Sequence, residues 1–244
     1  MGCCTYVKLV TLHSAPPGLP VLDFQADTAR RQMIEQQIRA VGVLTPQTLA
    51  IFRDVPREDF VPVAYRTLAF ADCEIPIGYG ESMLSPQIEA QCLDALDVRS
   101  TDQILEIGTG SGFLTACLAR LGCGVITLDL HADFVDQARL RHQHLTGLAP
   151  IDYHVEDGHR LPDSLREERF DVIVLTGSLY VPEPSFHQAL APGGRLWVVT
   201  GMGPIQEAHR IVRMGQSAYD DRVLFETRLK PLTHAPRPSG FRFA

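Results

Sequence analysis

From residue 103 to residue 200 the chain alternates short apolar β runs with helical segments of about 8 to 15 residues. The β runs are 103–107, 124–129, 151–156, 171–176 and 195–200. Such alternation indicates βαβ units, whose parallel strands form a sheet covered by helices on both faces. The pattern therefore predicts a doubly wound α/β fold with a mostly parallel sheet.

Two further β runs follow near the carboxyl terminus. They span residues 207–213 and 222–229 and flank a polar turn at 215–221. Runs joined in this way predict an antiparallel pair at one edge of the sheet. With this pair we expect a seven-stranded, Rossmann-like sheet.

The segment before the sheet has a helical pattern interrupted by one long loop. Apolar positions at helical spacing cover 28–41, and Gly42 is placed to end that helix. Further helices are predicted after Thr45 and after Ser85, each of which can cap a helix whose first residue is proline. Residues 54–84 contain many turn formers, so we expect an irregular segment of the length typical of binding loops.

The overall charge argues against some classes of partner. The chain has 244 residues, a formal charge of -7 and a pI of about 5.7. A protein with this balance has no global positive field for a nucleic acid or an anionic membrane. No apolar run reaches the roughly 18 residues needed to cross a bilayer, and residues 1–20 lack the pattern of a secretion signal. We expect a cytoplasmic monomer that binds neither nucleic acid nor membrane.

The cysteines predict neither a metal site nor a lipid anchor. Gly2 is followed by Cys3 and Cys4, but Tyr6 stands where the myristoylation pattern requires serine or threonine. The other four cysteines form no C-x-x-C pair and lie near no histidine pair at zinc spacing: Cys73, Cys92, Cys117 and Cys123. We interpret these four as small buried residues in a reducing compartment.

A glycine-rich loop follows the first run of the sheet. It comprises Gly108, Thr109, Gly110, Ser111 and Gly112 and leads into a helix. Glycines let the backbone approach a ligand closely, and the amides at the start of a helix favour an anionic group. The dinucleotide fingerprint requires its third glycine three positions after the second, where this chain has Phe113. The spacing therefore favours a different cofactor.

Acidic residues near the ends of three successive β runs indicate which cofactor the chain binds. Glu106 lies two residues before the first glycine, where its carboxylate can accept a hydrogen bond from an amino group of the ligand. Asp129, followed by Leu130, ends the next run and can bind both ribose hydroxyls, and Asp157-Gly158 after the third run can lie near an adenine amino group. An amino acid end, a ribose and an adenine together describe S-adenosylmethionine. The alternatives are that these acids only cap turns, or that the cofactor is NAD.

Several motifs resemble one family of methyltransferases. They are Val55–Pro62, Tyr65, Ile75–Pro86, Phe170–Val174, Val181-Pro182 and Leu190–Leu196. Over roughly residues 28–232 the chain is similar to the protein-L-isoaspartate O-methyltransferases. The resemblance implies an enzyme that methylates isoaspartyl residues of damaged proteins, or a small acceptor, and releases S-adenosylhomocysteine. Residues 1–26 contain several prolines and no apolar period, so we expect an extension outside the core that is partly disordered. We expect a segment at 27–100 that forms the acceptor side and a cofactor-binding core at 101–244.

The acceptor loop departs from the family pattern. The family has a serine, regarded as an active-site residue, at the position of Leu84, and this chain also has an unusual carboxylate at Glu81. We predict that Ser82 and Ser85 contact the acceptor, with Thr176 as a weaker candidate. The departure leaves two alternatives open: a methyltransferase acting on a different acceptor, and a noncatalytic cofactor-binding protein.

Overall fold

The computed structural model describes residues 26–42 and 44–238. The predicted extension at 1–26, including Cys3 and Cys4, therefore lies outside the described residues except for Ala26, which begins the first helix.

The chain before the sheet forms the predicted helices. Helix α1 spans Ala26–Gln32 and continues through a π turn and a 3₁₀ turn to Val41. Gly42 then ends it with a φ of 143°. Helix α2 spans Pro46–Asp54, and the Thr45 hydroxyl caps it by accepting a hydrogen bond from the amide of Thr48 at 3.2 Å.

The loop predicted at 54–84 contains more structure than the sequence indicates. Strands β1 (Ile75–Gly78) and β2 (Glu81–Met83) form an antiparallel hairpin. These strands are too short to show a clear alternation of apolar and polar residues, which explains why the pattern missed them. Helix α3 follows at Pro86–Leu96, but the hydroxyl of Ser85 makes no capping hydrogen bond.

The seven-stranded sheet matches the predicted fold class. Its strands are β3 (Gln103–Ile107), β4 (Gly124–Asp129), β5 (Ile151–Val155), β6 (Phe170–Leu179), β7 (Leu190–Thr200), β8 (Gln206–Arg213) and β9 (Tyr219–Thr227). The order is β5-β4-β3-β6-β7-β8-β9. Neighbours are parallel from β5 to β7, and β8 pairs antiparallel with both β7 and β9. The antiparallel edge pair is therefore confirmed.

The connections between strands are shorter than predicted on one side of the sheet. Helices α4 (Phe113–Leu121) and α5 (Ala132–His142) follow β3 and β4 as expected. Only a 3₁₀ turn, Asp163–Leu165, lies between β5 and β6, and α6 (Pro184–Ala189) has six residues. The polar and turn-forming residues of these connections do not supply an apolar face long enough for a full helix.

Two apolar clusters cover the opposite faces of the sheet. One contains Ile104 with Phe52, Phe113 and Trp197, and the other contains Ile107 with its neighbours on adjacent strands. Because successive strand residues point to opposite faces, Ile107 and Glu106 belong to different sides. Strand β3 lies at the point where the chain order reverses, and in such sheets ligands bind at the carboxyl ends of the strands there.

The four cysteines of the described residues carry free thiols. Cys92 and Cys117 are buried as predicted, whereas Cys73 and Cys123 are only half-buried. Among the described residues, no helix has the length and apolar character needed to cross a membrane.

Candidate active site

A cleft of about 230 Å³ lies at the carboxyl ends of β3 to β6. The wall formed by the sheet consists of Ile107, Gly108, Gly110, Leu128–His131, Glu156–His159, Thr176 and Gly177. The facing wall consists of residues 80–82 with Ile77 and Leu84, and of the segment 229–233 after β9. The cleft thus lies between the sheet, the β1–β2 hairpin and the carboxyl-terminal segment.

The glycine loop has left-handed backbone at three positions. The φ angles are +95° at Gly108, +51° at Gly110 and +86° at Gly112. A side chain at Gly108 would have its Cβ only 2.1 Å from the hydroxyl of Thr176. That hydroxyl donates to the carbonyls of Ile107 and Gly108 at 3.0 and 2.9 Å. Thr176 therefore holds the loop against β6, and its hydroxyl is already engaged.

Asp129 lines the cleft directly beside this loop. One carboxylate oxygen accepts a hydrogen bond from the amide of Gly110, and the other accepts one from the amide of His131, both at 2.9 Å. Burial raises the pKa of Asp129, and the two amide bonds oppose that rise. Each oxygen keeps a further lone pair, so the carboxylate can still accept a pair of ligand hydroxyls.

Glu106 does not line the cleft. Its side chain is fully buried behind the loop. One of its oxygens accepts a hydrogen bond of 2.7 Å from the hydroxyl of Thr127 and a second hydrogen bond from the hydroxyl of Thr115. The other oxygen, Oε1, has no hydrogen-bond partner. Burial raises the pKa of Glu106 to about 8. The sequence places Glu106 one residue from a cleft residue, but the alternation of the strand turns its side chain to the other face.

The other loop residues predicted to bind the cofactor do not line the cleft either. The hydroxyl of Thr109 is hydrogen-bonded to that of Thr127 at 2.7 Å, behind the loop. Ser111 accepts the amide of Phe113 at 3.3 Å, and Gly112 packs closely against Ala138. These residues shape the loop, whereas Gly108 and Gly110 face the ligand space.

Asp157 and Gly158 line the far end of the cleft. The oxygens of Asp157 contact Nδ1 of His159 at 2.8 Å and Nδ1 of His234 at 2.7 Å. Burial by itself would raise the pKa of Asp157, but the hydrogen bonds from both histidines lower it below its usual value. The three residues form a group whose donor atoms lie within 4.8 Å of one another and could hold a metal ion.

The acceptor side of the cleft carries one of the two predicted serines. Ser82 is exposed and lines the cleft, but Ser85 lies outside it. Leu84 also lines the cleft while its side chain is largely buried. The carbonyl of Leu84 accepts a hydrogen bond of 2.6 Å from the buried guanidinium of Arg57, which fixes the loop from behind.

Several cleft residues were not found by sequence reasoning. His131 and His159 each lie within two residues of a predicted acid, so a wider window around those acids would have included them. The segment 229–233 gives no comparable signal. It reaches the cleft because the Ser178 amide donates to the Lys230 carbonyl at 3.0 Å and the Leu232 amide donates to Ser178 at 2.9 Å.

The seven-stranded sheet with this cleft has the fold of the Rossmann-like methyltransferases. A crystal structure of a protein-L-isoaspartate O-methyltransferase from Plasmodium falciparum, in complex with S-adenosyl-L-homocysteine, matches with a TM-score of 0.71 and 16% identity, over 85% of this chain and 98% of that one. A second structure with the same enzyme name matches with a TM-score of 0.65 and 19% identity, over 83% and 65% of the two chains.

The family model for protein-L-isoaspartate(D-aspartate) O-methyltransferase matches residues 28–236. The protein-L-isoaspartate O-methyltransferase of Rhodopseudomonas palustris is 36% identical over 215 residues, covering 85% of this chain and 97% of its own length. The enzyme of Methanoculleus marisnigri is 37% identical over 194 residues, covering 78% and 86%. The chain belongs to the protein-L-isoaspartate O-methyltransferase family and is an S-adenosylmethionine-dependent methyltransferase.

The residues present fit S-adenosylmethionine. Gly108 and Gly110 line the cleft without side chains, and Asp129 offers free lone pairs at the end of β4. The unpartnered Oε1 of Glu106 is a buried polar atom, but Glu106 does not line the cleft and makes no part of this fit. The cofactor supplies an electrophilic methyl group on a sulfonium.

Proposed function

We propose that this protein transfers a methyl group from S-adenosylmethionine to the free carboxylate of isoaspartyl residues in proteins and peptides, as a step in protein repair. The observation that carries the proposal is the family match over residues 28–236, which includes both walls of the cleft.

The sheet wall of the cleft is proposed to bind the cofactor. Asp129 would accept the two ribose hydroxyls, beside Leu130, and Asp157 with Gly158 would face the adenine. Gly108 and Gly110 would let the backbone approach the ligand, while Thr109, Ser111 and Gly112 shape the loop. For Glu106 we propose a role from behind the loop, because its buried carboxylate does not reach the cleft.

The chemistry requires alignment of two reactants and no strong base. An isoaspartyl carboxylate is an anion above about pH 4, so it is already a nucleophile. Binding next to the sulfonium would align the carboxylate oxygen with the methyl carbon and remove water between them. Ser82 is the proposed hydroxyl contact to the acceptor, since Ser85 lies outside the cleft and the Thr176 hydroxyl is engaged by two carbonyls.

Leu84 favours a second candidate, a methyltransferase of the same fold that acts on another acceptor. An apolar side chain there removes a hydroxyl from the cleft wall. A less polar acceptor would suit that wall better than a carboxylate.

The organisation of the chain and its setting are also proposals. Residues 27–100 would form the acceptor side and 101–244 the cofactor core, because the cleft lies between the hairpin and the sheet. We propose a monomer that acts on protein substrates in the cytoplasm, a compartment that keeps free thiols such as Cys92 and Cys117 reduced.

Methyl transfer from labelled S-adenosylmethionine to an isoaspartyl peptide tests the proposal, with the matching aspartyl peptide as the control. We expect methylation of the isoaspartyl peptide alone. A rise in melting temperature with S-adenosylhomocysteine verifies that the preparation binds the cofactor product. A protein that binds this product but methylates neither peptide would refute the proposed acceptor and favour the second candidate.

A further inference from the structure

The cleft is rich in carboxylates and contains one lysine. Five acids are among its lining residues: Glu74, Glu81, Asp129, Glu156 and Asp157. Among the described residues that line it, Lys230 is the only lysine or arginine. The proposed acceptor is itself a carboxylate, and like charges in a partly desolvated cleft repel each other. An anionic acceptor therefore needs a compensating positive charge at this site.

Lys230 has a fixed backbone and an accessible ammonium group. Its carbonyl accepts the amide of Ser178 at 3.0 Å, and the neighbouring Leu229 amide donates to the buried Gln206 side chain at 2.7 Å. The side chain of Lys230 is 53% exposed. Because the backbone is held by hydrogen bonds and the side chain is exposed, the ammonium can change partners without moving the segment.

The ammonium of Lys230 lies on the acceptor side of the cleft. It donates to the carbonyl of Gly80 at 3.1 Å and pairs with the carboxylate of Glu81. Glu81 directly precedes Ser82, the proposed acceptor contact. Glu81 thus holds a cation one residue before the proposed acceptor contact.

We propose that Lys230 binds the acceptor carboxylate, and that Glu81 is the counter-ion from which the ammonium is transferred when the acceptor enters. This inference rests on the proposed function, because it takes the acceptor to be an isoaspartyl carboxylate. It assigns an anion-binding role to a residue of the carboxyl-terminal segment, and it places a positive charge on the wall that lacks a hydroxyl at Leu84.

The reaction itself would release the product from Lys230. One carboxylate oxygen stays with the ammonium while the other attacks the methyl carbon. The new bond is O–CH₃, the S–CH₃ bond breaks, and its electron pair remains on sulfur as a neutral thioether. The acceptor becomes a neutral ester, so no proton is transferred and the ion pair with Lys230 is lost. The ammonium can then return to Glu81.

Opposite effects of two substitutions test the inference. The affinity of an isoaspartyl peptide is measured by calorimetry on protein saturated with S-adenosylhomocysteine, where the sulfonium charge is absent. Lys230→Met should weaken peptide binding by roughly tenfold or more, as expected for a charge-assisted hydrogen bond. Glu81→Gln should strengthen it by several-fold, because the ammonium no longer has a competing carboxylate. In the methylation assay, KM for the peptide should rise in Lys230→Met and fall in Glu81→Gln.

Matched variants separate charge from other effects. Arg228→Met removes a positive charge two residues before Lys230, at an exposed position outside the cleft lining, and it should leave the peptide affinity unchanged. Lys230→Arg keeps the positive charge and should retain most of the wild-type affinity for the peptide. Added salt should weaken peptide binding to the wild-type protein more than to Lys230→Met.

The alternative is that Lys230 and Glu81 only fasten the hairpin to the carboxyl-terminal segment. In that case Lys230→Met and Glu81→Gln would change peptide affinity in the same direction, and this result would overturn the inference. Unchanged affinity in Lys230→Met would overturn it as well, while leaving the proposed function intact. A wild-type protein that neither binds nor methylates the isoaspartyl peptide would refute the proposed function and the inference together.

Discussion

The hydroxyl of Thr176 occupies the space that a side chain at Gly108 would need. A Cβ at Gly108 would lie 2.1 Å from that oxygen, and the residue has a φ of +95°. The glycine is thus required both by its backbone angle and by its neighbour. The first turn of the cofactor loop is therefore packed directly against β6 and hydrogen-bonded to it.

Gly108→Ala should therefore destabilise the protein by at least about 3 kcal/mol, because backbone strain and a steric clash add. Gly110→Ala is the matched comparison. Its φ is +51° and its Cβ would meet only the flexible tip of Ile77 at 3.4 Å, so its cost should be nearer about 1 kcal/mol. Urea unfolding measures both. Equal losses in the two variants would show that the contact with Thr176 does not decide the requirement.

Asp129→Ala should weaken binding of S-adenosylhomocysteine by about 1 to 3 kcal/mol, as expected for loss of a buried hydrogen-bonding carboxylate. The carboxylate also organises the amides of Gly110 and His131, which supports the same result. Calorimetric titration measures the affinity. Asp152→Ala removes an exposed carboxylate from β5 outside the cleft and should have no effect. A loss below detection in Asp129→Ala would refute its proposed contact with the ribose.

Glu106→Gln should change how stability depends on pH. Burial raises the pKa of Glu106 from 4.5 to about 8. Between these values the folded protein holds a proton that the unfolded chain has released, so rising pH lowers the free energy of unfolding through this group. The variant cannot ionise there, and its free energy of unfolding should fall less between about pH 5 and about pH 8. Parallel pH profiles for the two proteins would contradict the assignment.

Arg57→Met should destabilise the protein by about 3 to 5 kcal/mol, because it leaves a buried carboxylate without its partner. The guanidinium of Arg57 is paired with Glu89, and both side chains are almost inaccessible to solvent. The double variant Arg57→Met/Glu89→Leu removes the whole pair and should recover much of the loss. Denaturant unfolding of the wild type, of Arg57→Met, of Glu89→Leu and of the double variant measures this. A double variant as unstable as the sum of its single changes would argue against the pairing as the cause.

Leu84→Ser should raise kcat/KM for the isoaspartyl peptide several-fold, because it returns a hydroxyl to the cleft wall near Ser82. The loss of a buried apolar side chain should cost about 2 kcal/mol of stability. Leu84→Ala opens the same space without a hydroxyl and is the control. If both variants had the same kcat/KM, the hydroxyl at this position would not contribute to the reaction.

Local patterns predicted the secondary structure of this protein well. Strands β3 and β4 begin and end where the apolar runs predicted, and the cap at Thr45 forms as expected. These features depend on residues a few positions apart, whose side chains share one face of a helix or strand. The hairpin β1–β2 was missed because its strands have only four and three residues. The six-residue α6 was predicted longer because alternation by itself does not set the length of a crossover.

The sequence by itself determined the fold class, the position of the glycine loop and the acids Asp129 and Asp157 at the strand ends. Only the tertiary structure decided which side chains reach the cleft. Strand alternation puts Glu106 and Ile107 on opposite faces of β3, but only the packing of the sheet decided that the face of Ile107 meets the cleft. The tertiary structure also brought Lys230 to Glu81, which is 149 positions away in the chain. The physical reason is that local sequence specifies backbone geometry, whereas contacts between distant segments depend on the packing of the whole sheet.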